Sequence, residues 1–319
     1  MEDILQIDSS FIEENTKFPE LIEKLREAFE KSSIEVPMRH HHDFPNPEAG
    51  DDSTLLLMPA WQTGVDAGVK VVTVSPKNGQ YQLPSIQGTY LYLDALTGTL
   101  KAIMEAKSLT VKRTAAASAL ASSFLSRKES SSLLMIGTGA LSTNLIRAHA
   151  SVRPISKVFV WGRNLEKAQA ICDTLKNEPY TTQVVPTIEE KISEVAIVSC
   201  ATLSKTPLVL GKHLNPGQHI DLVGAYKKDM READDVTVEK ASVFIDTYQG
   251  GLTESGDIAI PLQEGTLTKN DIKADLFELC AHSKNGRSNH DEITMFKSVG
   301  HALEDLAAAS YYFKKFIHA

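Results

Sequence analysis

The sequence predicts an α/β protein, with a Rossmann-type, doubly wound parallel-sheet domain and an α+β domain formed from both chain ends. Three observations predict it. From Ser131 onward, β-rich runs alternate with helical ones. An apolar run breaks at Gly137 into Gly-Thr-Gly and then turns amphipathic. Residues 1–110 instead show strands separated by turn-rich segments. Alternation of strands and helices implies parallel βαβ units with right-handed crossovers, the units of a doubly wound sheet.

Residues 131–137 read as a buried strand and 141–152 as the helix after it; 156–162 form a second strand and 164–177 a second helix. A weaker strand is expected at 181–186, a strong one at 194–201, and two more within 217–225 and 241–247. Before them, 53–61, 68–76 and 88–98 read as strands of a largely antiparallel sheet, preceded by an amphipathic helix at 18–33. The alanine-rich stretch 106–126 is a helix by propensity and connects the two domains. Residues 294–316 are also read as helical and are placed back against the first domain. The expected boundaries are therefore 1–118, completed by 292–319, and 119–291.

At 319 residues the chain is long enough for two domains, and 42% hydrophobic with 23% charged residues is ordinary for a soluble globular protein. A net charge of −8, with no basic run longer than a pair, argues against a nucleic-acid partner. No apolar stretch approaches the roughly 20 residues of a membrane span. The acidic N-terminus lacks a signal-peptide core, so a cytoplasmic protein is expected. Cys172, Cys200 and Cys280 are widely spaced and odd in number, which suggests free thiols.

The stretch 137–142 (GTGALS) matches G-x-G-x-x-S. The first glycine permits a tight turn, the second lets a phosphate approach the backbone, and the following helix N-terminus faces the pyrophosphate. Ser142 in the third glycine's place is expected to loosen helix–strand packing slightly. An NAD site places a carboxylate at the end of the second strand to bond the ribose; here that strand ends in Gly162, Arg163 and Asn164. Arg163, helped by Asn164, suits a 2′-phosphate, so NADP(H) is favoured and NAD(H) remains open.

Lys70 interrupts an apolar strand pattern, where a lysine is seldom buried unless paired. Pointed into a cleft, it binds a carboxylate or takes part in proton transfer. Arg113 begins the alanine-rich face of its helix, where a planar guanidinium grips a carboxylate with two parallel bonds. His40, His41 and His42 invite a metal reading, but adjacent residues of an extended segment point to alternating sides. No metal is expected, and Arg39 is the preferred residue of that stretch. No Ser-His-Asp spacing or G-x-S-x-G elbow is seen.

In their order along the chain, "GVKVV", "KRTAAASA", "IGTGALS", "VWGRNLEKAQ", "LVGA", "ESGDI" and "FKSVGHALEDLAAA" resemble the ornithine cyclodeaminase/mu-crystallin family over residues 34–312. The resemblance implies a substrate and dimerisation domain built from both chain ends, with a Rossmann domain between. It assigns the substrate carboxylate to Arg39, Lys70 and Arg113, and places Ser85 near substrate or nicotinamide. Gly137, Gly139, Ala140 and Leu141 match the pyrophosphate loop, Arg163 and Asn164 the adenosine-phosphate contacts. Thr202, Val223 and Gly224 match the cofactor wall, and Ser298 lies near the nicotinamide.

The family's cyclodeaminases carry a catalytic aspartate after the "VGA" turn, where this sequence has Tyr226. A phenol with an ordinary pKa of about 10 does not readily replace that base. Asp229 lies three residues further on. The expectation is an NAD(P)H-dependent homodimeric reductase of a cyclic ketimine carboxylate, 1-pyrroline-2-carboxylate giving L-proline. Lys70 is the foremost proton donor and Tyr226 a weaker one. Ornithine cyclodeaminase, alanine dehydrogenase and a ligand-binding protein of the mu-crystallin kind stand as alternatives.

Overall fold

A computed structural model describes residues 4–319, which divide into two compact units. The first comprises the described residues up to Lys17 with Lys31–Arg113 and His301–Ala319; the second comprises Phe18–Glu30 and Thr114–Gly300.

The first unit is a seven-stranded sheet of β1 (Leu5–Ile7), β2 (Ile34–Glu35), β3 (His40–Phe44), β4 (Ser53–Gln62), β5 (Asp66–Val74), β6 (Ile86–Asp94) and β7 (Leu100–Glu105). The order is β1-β7-β6-β5-β4-β2 with β3 also on β4, antiparallel except for β1 on β7. Period-2 alternation puts Met58, Lys70, Tyr90 and Met104 side by side in one register row facing inward. The helix Ala302–Ile317 packs over this face, its Ala, Leu and Tyr residues buried. Gly68 sits beneath the Tyr90 ring, where a Cβ would stand 2.2 Å from the phenol oxygen.

The second unit is an eight-stranded parallel sheet: β8 (Ser132–Ile136), β9 (Lys157–Trp161), β10 (Thr181–Val184), β11 (Ile197–Cys200), β12 (His219–Leu222), β13 (Ala241–Ile245), β14 (Ile272–Asp275) and β15 (Ile293–Lys297). The order β10-β9-β8-β11-β12-β15-β13-β14 reverses direction between β8 and β11, the point at which doubly wound sheets bind ligands. Its central strands β11 and β12 are buried along their whole length, and β8 beyond Ser132, as expected for a parallel sheet covered on both faces. Helix Ala106–Leu125 begins in the first unit and continues into the second; residues 112–122 are buried all round, which small alanine side chains allow. It ends where Arg153 Nη2 donates to the carbonyls of Ser122, Ser123 and Ser126 at 2.8–3.0 Å.

Three differences from the sequence reading concern assignment. Residues 293–297 form β15, wedged between β12 and β13, so the parallel sheet extends to residue 297 and the helix of 294–316 shortens to 302–317. A five-residue segment such as Ile293–Lys297 is too short for periodicity to separate strand from helix. The boundary expected at 118 falls after Arg113, inside a continuous helix. The amphipathic helix Phe18–Lys31 groups with the second unit up to Glu30: the Phe29 ring meets Phe277 edge-on at 5.0 Å, and the Arg26 guanidinium lies over Phe124.

Candidate active site

The residues singled out in the sequence fall into two groups, one in each unit. In the first, Lys70 enters from β5 and Arg113 from the Ala106–Leu125 helix, and both are buried. Their partners are Glu304 and Asp305, fully buried in the first turn of the Ala302–Ile317 helix. Lys70 Nζ donates to Asp305 Oδ1 at 2.9 Å and lies 2.7 Å from Oδ2. Arg113 Nε donates to Asp305 Oδ1 at 2.9 Å and Nη1 to Glu304 Oε2 at 2.6 Å. The helix N-terminus further favours the two carboxylates.

Burial lowers the Lys70 pKa, and the charges of Arg113 and Arg39 lower it further against the pull of Asp305, to about 8. Burial works against the Asp305 charge too, but Arg113 and Lys70 outweigh it and hold the carboxyl below its ordinary range. Burial likewise disfavours the Arg113 guanidinium, yet Asp305 and Glu304 keep it firmly charged. Arg39, half-buried just before β3, is near enough to act on Lys70 electrostatically. The structure thus gathers Lys70 and Arg113 around two carboxylates that the sequence reading missed, with Arg39 close enough to be felt by Lys70.

Ser85 is exposed at the end of the β5–β6 hairpin. It lies five residues before Tyr90, the cross-strand neighbour of Lys70, or about 17 Å along an extended strand. His40 and His42 share one side of β3 with rings 6.1 Å apart, and His41 alternates to the other.

In the second unit, a cavity of about 650 Å³ opens at the carboxyl ends of β8, β9 and β11. It is lined by Gly137, Thr138, Gly139, Gly162, Arg163, Asn164, Lys167 and Thr202, among others. Gly137 has φ +121°, and a Cβ there would stand 2.6 Å from the Ala201 carbonyl oxygen. Nothing lies within 4 Å of a Cβ built on Gly139, so the loop leaves open the space through which a phosphate approaches. Ala140 and Leu141 lead into the helix Ser142–Val152, whose N-cap residue Leu141 makes no side-chain cap bond and whose N-terminal dipole favours an anion. The residues present therefore fit a dinucleotide's pyrophosphate.

Ser142 corrects an expectation. It is fully buried, and its hydroxyl donates to the Gly137 carbonyl at 2.9 Å, so it ties the loop to the helix. Arg163 and Lys167 are exposed side chains on the cavity wall, with no carboxylate at the end of β9. The Asn164 side-chain oxygen caps the next helix by accepting from Lys167 N at 2.9 Å.

The Thr202 side of the cavity, next to Gly137, is held from behind. Glu232, fully buried, accepts from Thr202 N at 2.6 Å, Thr202 Oγ1 at 3.0 Å, Gly224 N at 2.8 Å and Ala225 N at 3.1 Å. Lys297 Nζ lies 2.9 Å from Asp257 Oδ2 and 3.6 Å from Glu232 Oε2. Val223 extends β12 by donating to the Cys200 carbonyl. Ser298, at the end of β15, is buried; its hydroxyl and the N–H groups of Val299 and Gly300 all donate to Asp246 Oδ2. Sequence reasoning noticed "ESGDI" and "FKSVG" as motifs without seeing that Asp257 and Lys297 meet.

Tyr226 is exposed, with Lys227 over its ring. Asp229 pairs with Lys205 at 2.7 Å on the surface. Deeper in the sheet, Ser199 Oγ and His149 Nε2 both meet Asp221 Oδ2, at 2.7 and 3.1 Å. Both groups converge on the carboxylate and all three residues are fully buried, so this is no nucleophile–base relay.

The family model for the ornithine cyclodeaminase/mu-crystallin family matches residues 2–318. The chain belongs to that family. It is 35% identical over 306 residues to the Delta(1)-pyrroline-2-carboxylate reductase of Colwellia psychrerythraea, covering 95% of this chain and 96% of the relative. Among solved structures, the Thermococcus litoralis Delta(1)-pyrroline-2-carboxylate reductase in complex with NADH and L-proline superposes with TM-score 0.92 at 33% identity, covering 99% and 98% of the two chains. An archaeal alanine dehydrogenase dimer with bound NAD superposes with TM-score 0.90 at 26% identity, covering 99% and 96%. These family members share the Rossmann-type α/β fold described above and bind a nicotinamide cofactor. Among the described residues, no helix is long and apolar enough to cross a membrane.

Proposed function

We propose that this oxidoreductase reduces the C=N bond of a cyclic ketimine carboxylate, converting 1-pyrroline-2-carboxylate to L-proline. The observation that carries the reading is the buried Lys70–Asp305–Arg113 set, in a family whose similar members include reductases of that imine. Reduction adds a hydride to the imine carbon and a proton to the nitrogen. A nicotinamide, when bound, supplies the hydride. Arg113 commits two of its five N–H donors to Asp305 and Glu304, and we assign the rest of the fork, with Arg39, to the substrate carboxylate. Lys70, with a pKa of about 8, is mostly charged at neutral pH and gives up its proton far more readily than an ordinary lysine, which suits a general acid toward the imine nitrogen.

Gly137, Gly139 and the N-terminus of the Ser142–Val152 helix would hold the pyrophosphate, with Thr202 beside Gly137 in the cavity lining. Arg163 and Lys167, in a cavity lining that holds no carboxylate, support NADPH over NADH. A homodimer is supported by the sheet face of the first unit opposite the Ala302–Ile317 helix. There Leu57, Pro59, Trp61, Val69, Val71 and Leu91 form a half-exposed apolar surface.

The test is loss of reduced-nicotinamide absorbance with 1-pyrroline-2-carboxylate, with NADPH and NADH compared and proline quantified. Turnover to proline supports the reading. Formation of proline and ammonia from ornithine with NAD would overturn it in favour of a cyclodeaminase. Tight imino-acid binding without turnover would leave a ligand-binding protein.

A further inference from the structure

Thr202 and Gly224 follow two neighbouring strands, β11 and β12, and their backbones are in direct contact: a Cβ on Gly224 would stand 2.0 Å from Thr202 N and 2.1 Å from Thr202 O. Two loops pressed together in this way leave inward N–H groups that the β-ladder does not satisfy. Glu232 takes them all. One carboxylate oxygen accepts the Thr202 N–H and hydroxyl, and the other accepts the Gly224 and Ala225 N–H groups. Its own backbone is fixed in turn, because Asp257 Oδ1 accepts from Glu232 N at 2.7 Å and Ala233 N at 3.1 Å. Lys297 neutralises part of the buried charge from β15.

This arrangement is more specific than a satisfied core needs. Four donors on two separate loops demand an acceptor with two oxygens and no hydrogen, which only an ionised carboxylate offers. The loop bearing Thr202 also lines the cavity, packed against Gly137 of the glycine turn.

We infer that Glu232 is a positioning residue for the nucleotide site, clamping the loop after β11 to the turn after β12 so that Thr202 is held at a fixed depth in the cavity wall. The inference rests on the reading of that cavity as the nicotinamide-cofactor site. Glu232 itself touches neither cofactor nor substrate; it acts through Thr202, Gly224 and Ala225.

The test uses the full chain and measures NADH and NADPH dissociation constants by calorimetry, alongside steady-state kinetics. Glu232→Gln keeps the volume but turns an amide NH₂ toward one pair of N–H donors, so one loop loses its acceptor. The expected result is a rise of about tenfold or more in both nucleotide dissociation constants, the cost of losing charge-assisted bonds, while the imine KM changes less than about twofold. If Glu232→Gln fails to fold, Glu232→Asp is read instead. One methylene shorter, it reaches one loop but not both, and a smaller rise in the same constants is expected. A Gln or Asp variant that melts earlier yet binds both nucleotides within about twofold of wild type overturns the inference and leaves Glu232 a purely structural residue. Wild-type protein that binds neither nucleotide is a distinct result: it removes the cofactor reading and this inference with it.

Discussion

Asp305 Oδ1 accepts from both Lys70 Nζ and Arg113 Nε, each at 2.9 Å, and its Oδ2 lies 2.7 Å from the same ammonium. One carboxylate thus serves two cations from two different elements. Glu304, its chain neighbour, takes the other end of the guanidinium at 2.6 Å. The cations the sequence offers for substrate are therefore oriented before any substrate arrives.

Asp305→Asn keeps the shape of this junction and removes its charge. Breaking a buried pair of this kind costs about 3–5 kcal/mol of stability. Asp305 is also what holds the Lys70 pKa up against burial, so its loss moves that pKa below about 8. The expected outcome is a lower melting temperature together with an alkaline limb of the rate profile shifted to lower pH.

With Lys70 as the proton donor, kcat/KM falls above a pH of about 8 as the ammonium deprotonates. Stability from this group moves the opposite way. Its folded pKa lies below the ordinary 10.5, so between about 8 and 10.5 the unfolded chain binds more protons, and the fold gains stability as pH rises. Alkaline loss of rate without loss of melting temperature is the expected signature. Lys70→Arg moves the limb to higher pH, and Lys70→Met lowers kcat/KM by about 10²–10⁴-fold below a pH of about 8, with the deficit shrinking above it.

Arg163→Ala removes a cation from the cavity wall at the end of β9. The NADPH dissociation constant is expected to rise about 10- to 100-fold, the worth of a charge-assisted bond to phosphate, with NADH changed less than about threefold. Equal effects on both nucleotides would show that Arg163 does not read a 2′-phosphate.

Two glycines of one loop answer differently. Gly137→Ala meets a positive φ and the Ala201 carbonyl, so melting temperature and nucleotide binding both fall. Gly139→Ala meets nothing within 4 Å, so the fold is expected to keep its melting temperature while nucleotide affinity drops. Circular-dichroism melts and calorimetry separate the two.

Ser142→Ala deletes the hydroxyl that ties the helix to Gly137 and is expected to destabilise by about 1 kcal/mol. A neutral result would return Ser142 to the status of a tolerated substitute for glycine.

Lys70 and Arg113 were legible in the sequence because each breaks a pattern, a lysine inside an apolar strand and an arginine on an alanine face. Their partners were not. Asp305 lies 235 residues from Lys70 and 192 from Arg113, and acidic residues in a helix's first turn ordinarily complement its dipole in water. The signal that was present is that Glu304 and Asp305 interrupt the apolar first half of their helix. Glu232 hides in a run, "READD", that reads as a solvated surface. Lys297 ends a strand too short to show a period. The parallel sheet was legible through its glycine turn and strand–helix alternation, whereas the placement of β15 between β12 and β13 depends on pairing that no local pattern encodes.

The row Met58–Lys70–Tyr90–Met104 has a consequence for how this chain tolerates change. Because successive side chains of a strand alternate in direction, a shift of β5 by one residue would deliver Val69 or Val71 to Asp305 and turn the lysine outward. That register is set by the hairpin closed by Gln62 and Asp66, with Gly64 at φ +71° between them. Substitutions at Thr63 or Val65 leave the count intact, but a single inserted residue re-indexes the strand. The chemistry of the buried ammonium is thus hostage to the length, and largely indifferent to the composition, of a three-residue turn on the surface.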